Sequence, residues 1–390
     1  MSEVRIVTCA GGAAWEAPLV RGLQRRELGI ELVRRCVDHG ELLGIALRDR
    51  PRAALVAAEL PWLDRDLVGT LQDAGVAVVA IDSLGGRPLD RLGVSRVLDA
   101  DATVEAVVAH LHGIGGDSAP SVRPPDADEV SGLNGRVVAV WGGPGAPGRT
   151  TVSVHLAVEA ARSGAKVVLV DADPWAPAVA QVLGLAESPS VAQAARLAAE
   201  GWPESLASCL QVGPDGVAVL AGLAHPDLWP EIRDHAWRAV VDAARAQAGL
   251  VIVDVGAPVE EDEELAFDRV PYRRNLMTLT ALESATDVFL VAAADPVAVR
   301  RAVVAHRALQ QVRPAVARRT KVVLNRAPRS PRRLQECSTL LAEWTGAPPL
   351  AFLPVERAFD RCVWEGRTLR AVAPRSAWLR ELHALVTAVV

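Results

Sequence analysis

The stretch that decides the fold runs from Val137 to Asp173 and reads VVAVWGGPGAPGRTTVSVHLAVEAARSGAKVVLVDAD. Its first five residues are apolar and predict a buried strand, and a turn rich in glycine and proline follows. A helix is predicted from there to about Ser163, and a second strand at 166–170 ends in Asp171 and Asp173. Strand, turn, helix and strand in this order are typical of a parallel α/β sheet.

The turn fits a phosphate-binding loop at every fixed position but one. Gly143 to Thr150 matches G-x-x-x-x-G-K-[ST], with Arg149 at the lysine position. Small residues let backbone N–H groups converge on a phosphate, and the positive end of the following helix adds to the attraction. We therefore expect the nucleotide phosphates to be bound by Gly143, Gly145, Gly148, Arg149, Thr150 and Thr151.

Acidic residues follow two of the predicted strands and indicate a metal site. Thr150 comes directly after the basic residue of the loop, where a hydroxyl ligates Mg²⁺. Asp254 ends the apolar run 250–254, where a carboxylate holds the water shell of that metal. Asp171 and Asp173 are the candidate catalytic residues, because acids at a strand end can support the metal or position an attacking water. The structural alternative is helix capping or strand-end solvation for Asp254 and Asp171, and a turn for Asp173.

The same loop allows two other interpretations. Residues 143–148 also fit G-x-G-x-x-G, and Asp171 lies 23 residues past Gly148, near the place of an acid that binds the ribose of a dinucleotide. A purely structural turn is the other interpretation. The Arg-Thr-Thr sequence at 149–151 and the second apolar strand ending in Asp254 favour an ATPase.

The composition predicts a soluble protein of two domains. The chain has 390 residues, half of them apolar, and a formal net charge of −5, which argues against a strongly basic nucleic-acid binder. The five cysteines form no C-x-x-C pair and are interpreted as reduced thiols of a cytosolic protein. We expect neither a signal peptide nor a membrane span, since no apolar run approaches roughly 18 residues.

Residues 1–112 alternate five strand-like and several helix-like segments, which predicts a parallel sheet with helices on both faces. This order resembles the receiver (CheY-like) domains of two-component signalling. A working receiver needs acids after its first strand and a phosphorylatable Asp at the end of its third. Those places hold Cys9-Ala10 and Ala57-Ala58, so we expect an atypical receiver-like domain without Mg²⁺ or phosphorylation. A generic α/β docking domain is the alternative.

A linker and a second domain follow. Residues 113–135 are rich in Gly, Pro, Ser and acid and predict a flexible linker. Residues 136–390 predict a doubly wound, mostly parallel sheet whose ligands bind at the carboxyl ends of its strands. A hairpin is predicted over 206–220, turning at 213–216.

Several motifs of the second domain resemble the MinD/ParA family of deviant Walker P-loop ATPases. Beside the loop, they are VDADP at 170–174, VIVDVGAP at 251–258, ADP at 294–296, VLNR at 323–326 and LPV at 353–355. The resemblance covers about residues 136–370 and implies ATP and Mg²⁺ as cofactors, Asn325 at the adenine, and a homodimer. With a receiver-like N-terminus the chain is most similar to the CpaE/TadZ-like subgroup, which includes actinobacterial septum-site-determining-type proteins.

Two positions depart from the family pattern. The family loop carries a lysine at position 149 and an earlier signature lysine, which reaches across a dimer, at position 144; these are Arg149 and Pro144 here. Arginine keeps the charge but is bulkier and planar, and proline offers neither charge nor N–H. We therefore expect weakened nucleotide binding and weak or absent hydrolysis. A nucleotide-free scaffold is the alternative.

The resemblance also implies a role in spatial organisation, with protein partners in a septum, pilus or secretion machine. The protein is expected in the cytoplasm, reaching the inner membrane through partners. DNA binding by the arginine-rich segment 300–333 is not favoured over a solvated face or pairing with the acidic run 260–264. The last predicted helix, 377–389, has few basic residues, which favours docking on the core over membrane binding.

Overall fold

The computed structural model describes residues 3–85, 87–114, 135–261 and 273–390. It divides into two compact units, one containing residues 3–114 and the short segment 197–202, and one containing most of the other residues from 135 onwards. Residues 115–134 of the predicted linker lie outside the described residues. All five cysteines are buried and free.

The first unit is a five-stranded parallel sheet with helices on both faces, as predicted. Its elements are β1 Val4–Cys9, α1 Glu16–Leu23, β2 Ile30–Cys36, α2 His39–Asp49, β3 Ala53–Ala57, α3 Arg65–Asp73, β4 Ala77–Asp82, β5 Arg96–Asp99 and α4 Val104–Gly113. The strand order is β2-β1-β3-β4-β5, and every pair is parallel. Helix α1 packs against α4, and α2 against α3. Asp38, Asp64 and Thr103 begin α2, α3 and α4 by accepting backbone N–H bonds.

The second unit is built on an eight-stranded sheet in the order β13-β12-β11-β6-β10-β7-β9-β8. Its elements are β6 Arg136–Trp141, α5 Arg149–Arg162, β7 Val167–Ala172, α6 Val179–Leu183, α7 Val191–Ala199, β8 Gln211–Val212, β9 Ala218–Leu220, α8 Asp234–Gln247, β10 Leu250–Val255, α9 Leu276–Ser284, β11 Asp287–Ala293, α10 Pro296–Val312, α11 Pro314–Arg318, β12 Thr320–Ala327, α12 Pro331–Thr345, β13 Ala351–Pro354, α13 Ala358–Glu365, α14 Leu369–Val372 and α15 Ala377–Val389. All pairs are parallel except β8 with β9, which confirms the mostly parallel sheet.

The predicted hairpin is shorter than the sequence suggests. Strands β8 and β9 do pair antiparallel across the turn, where Asp215 has φ of 53° and Gly216 of 79°. Residues 203–209, however, form a 3₁₀ helix, so the predicted strand at 206–210 is wrong. Pro203 explains the difference, because proline favours the first position of a helix and offers no N–H to a strand ladder.

The strands of the second unit are apolar almost throughout because both faces of the sheet are covered. Val138 and Val140 of β6 pack into the cluster formed with α5 and α15, while Val137 and Ala139 point to the opposite face and are equally buried. Helix α15 docks on the core, as predicted: Trp378, Leu382, Leu385 and Val389 are buried, and the helix packs on β13 and α5.

The strand order decides which residues meet at the carboxyl edge. Strand β10 lies between β6 and β7, and its Asp254 is in register with Val140 on one side and Asp171 on the other. In a dinucleotide-binding fold the second strand of the unit pairs directly with the first. Here β10 separates them, so the topology does not support the dinucleotide alternative. None of the described helices combines the length and the apolarity that crossing a bilayer requires.

Candidate functional site

The loop at 142–148 joins β6 to α5 and leaves the start of that helix open. Gly145 and Gly148 have φ of 103°, and Ala146 has φ of 53°. No side chain caps α5. Among the described residues, none accepts a hydrogen bond from the N–H groups of Gly145, Ala146 or Gly148. Unpaired donors at the positive end of a helix attract an anion.

Close packing explains why glycines occupy this loop. A Cβ on Gly145 would lie 2.2 Å from Nη1 of Arg301, and one on Gly148 would lie 2.3 Å from Nδ2 of Asn325. At Gly143 a Cβ would approach the carbonyl oxygen of Arg301 to 2.9 Å. The absence of side chains at these positions therefore lets Arg301 and Asn325 pack directly on the loop backbone.

The carboxylate of Asp254 accepts hydrogen bonds from two hydroxyls of α5. Thr150 Oγ1 donates to its Oδ2 at 2.6 Å, and Ser153 Oγ donates to its Oδ1 at 2.9 Å. Burial raises the pKa of Asp254, against the opposing effect of the Thr150 hydrogen bond. Hydroxyl and carboxylate oxygens are ligands that Mg²⁺ prefers, so Thr150 and Asp254 fit that metal. Sequence reasoning missed Ser153, although its spacing from Thr150 places both on one helix face.

Asp171 and Asp173 both hold backbone turns. Asp171 Oδ2 accepts from the N–H groups of Ala178 and Val179 at 2.8 and 3.0 Å, where α6 begins, and its Oδ1 accepts from the N–H of Asp173 at 3.2 Å. Oδ1 of Asp173 accepts from two N–H groups of the next turn at 2.9 and 3.1 Å. Burial, followed by the charge of Asp254, raises the pKa of Asp171. These are the capping contacts of the structural alternative.

Arg149 extends to the strand ends rather than along the loop. Its Nη1 donates to the carbonyl oxygen of Val255 at 3.0 Å, and its Nη2 contacts Oδ2 of Asp173 at 3.2 Å. Its side chain is 16% exposed. The guanidinium therefore pairs with Asp173, and its charge also acts on the buried carboxylate of Asp254.

Asn325 connects the loop to the C-terminal helix. Its Nδ2 donates to the carbonyl oxygen of Pro147 at 2.8 Å, and its Oδ1 accepts from Nε1 of Trp378 at 3.2 Å. Asn325 is 5% exposed, so both ends of its amide are satisfied inside the protein. The structure places this residue behind the loop, where it fixes the loop backbone.

A buried histidine, which sequence reasoning missed, lies beside the same contacts. His155 Nδ1 is 2.8 Å from the carbonyl oxygen of Thr151, and its Nε2 is 2.9 Å from the N–H of Leu369. A carbonyl only accepts and an N–H only donates, so the proton is on Nδ1. The rings of Phe359 and Trp378 meet this imidazole edge to face. Nothing local in the sequence distinguishes it from a surface histidine of a helix.

The comparison with protein families decides the assignment. The model of the CobQ/CobB/MinD/ParA nucleotide binding domain (CbiA) matches residues 138–369, which is more than half of the chain. The chain belongs to this family. The matched region contains most of β6, the whole loop, α5 and the strands that carry Asp171, Asp254 and Asn325.

Solved structures of the family share the fold of the second unit. The cell division ATPase MinD of Pyrococcus furiosus is 20% identical, with 65% of this chain and 97% of that chain covered and a TM-score of 0.51. The septum site-determining protein MinD of Pyrococcus horikoshii OT3, complexed with Mg-ADP, is 19% identical, with 65% and 95% covered and a TM-score of 0.51. A ParA family ATPase of Chlorobium tepidum TLS is 18% identical, with 65% and 98% covered and a TM-score of 0.55.

A curated relative matches a shorter part. The iron-sulfur cluster carrier protein of Deinococcus radiodurans is 33% identical over 105 residues, which are 26% of this chain and 30% of that protein. The chain thus spans under a third of that relative's length.

The arginine-rich segment is partly neutralised. Arg313 pairs with Glu261 at 2.7 Å and also with Glu283, and Lys321 pairs with Asp287 at 2.6 Å. These pairs agree with the interpretation as a solvated, ion-paired face. Of the predicted acidic run, residues 262–264 lie outside the described residues.

Proposed function

We propose that this protein binds ATP with Mg²⁺ at the glycine loop and turns it over slowly or not at all. The observation that carries this proposal is the uncapped start of α5 beside the bonded pair of Thr150 and Asp254. The N–H groups of the loop would bind the phosphates, and these two side chains would hold the metal. Mg²⁺ would neutralise the negative charge of the phosphates.

Slow turnover follows from contacts that are already made. Asp171 and Asp173, the candidate catalytic acids, cap backbone turns, and Arg149 pairs with Asp173. A catalytic carboxylate needs a free oxygen within hydrogen-bond reach of the attacking water. Pro144 brings no charge to a partner subunit. Because these side chains already have hydrogen-bond partners within the chain, the second candidate is a scaffold that binds no nucleotide.

We propose that the protein acts in spatial organisation. Its assembly would depend on the bound nucleotide and on protein partners. Solved relatives include cell division proteins, among them a MinC:MinD complex of Aquifex aeolicus. By analogy we propose a homodimer that recruits protein partners of a division, pilus or secretion apparatus in the cytoplasm, at the inner membrane only through those partners. DNA binding is not part of the proposal.

The first unit is proposed to be a receiver-like domain that does not use phosphorylation, as in the CpaE/TadZ-like subgroup. Its strand order is that of receiver domains. Arg87 supports the loss of phosphorylation: its guanidinium donates to the carbonyl oxygens of Ala58, Leu60 and Leu63 and so fixes the loop after β3. Transfer of phosphate to this unit from acetyl phosphate would contradict the assignment.

Titration of the full chain with labelled ATP, with and without Mg²⁺, tests the proposed site. Thr150→Ala removes a metal ligand, so we expect Mg²⁺-dependent affinity to fall at least about tenfold. Thr339→Ala is the control, because this exposed threonine lies on α12. Phosphate release should stay near the uncatalysed rate. If the wild-type chain binds no nucleotide, the scaffold candidate is the one that remains. If it binds NAD(P) alone, the dinucleotide alternative, which the strand order does not support, would be correct.

A further inference from the structure

We propose that Arg301 of α10 binds the polyphosphate of the nucleotide and supplies the positive charge that is missing from the loop itself. This inference depends on the proposed function, because it names a residue that would hold the same ligand. It concerns a helix outside the loop and a residue that none of the family motifs includes.

The two positions that carry lysine in the family leave the loop without a free cation. Pro144 has no charge and no N–H. The guanidinium of Arg149 is engaged by the carbonyl oxygen of Val255 and by Asp173, and its side chain is only 16% exposed. A polyphosphate in this loop therefore needs a positive charge from elsewhere.

Helix α10 brings that charge directly against the loop. On Gly145, a Cβ would lie 2.2 Å from Nη1, 3.2 Å from Cζ and 3.6 Å from Cδ of Arg301, so the guanidinium lies on the backbone of this glycine. A Cβ on Gly143 would lie 2.9 Å from the carbonyl oxygen of Arg301. The side chain and the main chain of one residue thus contact two glycines of the loop.

The charge of Arg301 is not neutralised by another side chain among the described residues. No carboxylate of the described residues lies within ion-pair distance of it, and the sequence from 296 to 335 contains no acid. Arg326 adds a second guanidinium, which donates from Nη2 to the carbonyl oxygen of Ala146 at 3.1 Å. The exposed face of the loop is therefore flanked by two arginines that have no acidic partner among the described residues.

The chemistry of guanidinium suits this position. It offers several N–H donors in a planar fork and binds phosphate oxygens through charge-assisted hydrogen bonds. An anion held by the free N–H groups of Gly145 and Ala146 would lie beside the nitrogen atoms of Arg301. The same chain would thus provide what a partner subunit's lysine provides in the family.

Equilibrium binding to the full chain tests the inference with three probes: Mg-ATP, inorganic pyrophosphate and adenosine. Arg301→Gln should weaken the binding of ATP and pyrophosphate by about tenfold to a hundredfold, the effect of one lost charge-assisted hydrogen bond, and leave adenosine unchanged. Arg301→Lys, which keeps the charge, should lie between. Arg300→Gln is the matched control, since this neighbouring arginine is exposed on the same helix.

Each outcome is decisive. ATP affinity of Arg301→Gln equal to that of the wild type, or a loss no greater than that of Arg300→Gln, would overturn the role of Arg301 while leaving the nucleotide site intact. A wild-type chain that binds neither ATP nor pyrophosphate would overturn the proposed function, and the role of Arg301 with it. Unchanged adenosine binding by Arg301→Gln excludes misfolding as the cause of its loss of ATP and pyrophosphate binding.

Discussion

Acidification should destabilise the protein through His155. This residue is 2% exposed, and both of its ring nitrogens are satisfied only in the neutral form. A proton on Nε2 would point at the N–H of Leu369 and would stay unsolvated among the rings of Phe359 and Trp378. Burial therefore lowers the pKa of His155 to about 4 from an ordinary value of 6.5.

The size of the effect follows from the difference between these two pKa values. Above pH 6.5 neither the folded nor the unfolded state protonates this residue, so its titration contributes nothing. Between pH 6.5 and about 4 the unfolded state binds a proton that the folded state does not, and the free energy of unfolding falls by about 1.4 kcal/mol per pH unit. The full loss is about 3 kcal/mol.

Two buried acids act in the opposite direction. Burial raises the pKa values of Asp171 and Asp254, so the folded state binds their protons first and gains stability as the pH falls. The contribution of His155 is therefore measured as the difference in unfolding free energy between the wild type and His155→Gln. Both proteins contain the two acids, so the contributions of the acids cancel in this difference.

Urea unfolding of both proteins near pH 7.5 and near pH 5 measures that difference. The variant should be the less stable one near pH 7.5, because it loses packing, and the gap should narrow by about 2 kcal/mol near pH 5. His383→Gln, an exposed position on α15, should show no such change. A gap that is the same at both pH values would refute the reasoning.

Two further substitutions test how the loop is fixed. Gly148→Ala places a Cβ 2.3 Å from Asn325 and forces a residue with a side chain to φ of 103°, so it should reduce stability by about 2 kcal/mol more in urea unfolding than Gly164→Ala, which has φ of 97° but no neighbour within 4 Å. Trp378→Phe leaves the carbonyl oxygen of Asn325 unpaired and should cost about 1–3 kcal/mol of unfolding free energy, whereas Trp364→Phe, 85% exposed in the wild type, should stay within about 0.5 kcal/mol. If Gly148→Ala and Gly164→Ala reduce the unfolding free energy equally, the contact of Gly148 with Asn325 does not matter for stability. Equal losses for Trp378→Phe and Trp364→Phe would contradict the role of the Trp378 hydrogen bond in the same way.

Local sequence was sufficient for most elements of both sheets. Strand β6, the glycine turn and α5 were predictable because apolar runs, glycines and helical periodicity act over a few residues. The docking of α15 followed from its apolar side and its few basic residues. The 3₁₀ helix at 203–209 was missed because the apolar residues around Leu206 resemble a short strand, and Pro203 was the overlooked signal.

The contacts of the site were less accessible to sequence reasoning. Whether Arg149 points along the loop or to Asp173 depends on where β7 and β10 end, which only the folded sheet decides. The position of Arg301 against Gly145 depends on how α10 packs on the loop. Asp171 and Asn325 matched motifs, yet a motif gives the residue and not the atoms it bonds.

The bond from Trp378 through Asn325 to the loop has a consequence for the order in which the protein is made. Asn325 lies 178 residues after Pro147, and Trp378 lies another 53 residues on. A ribosome therefore completes the loop early, whereas Asn325, which bonds its carbonyl, is made much later, and Trp378, which bonds Asn325, is made only with α15. Contacts so distant in sequence form slowly. During synthesis the glycine loop is among the first parts of its unit to be made and among the last to become rigid.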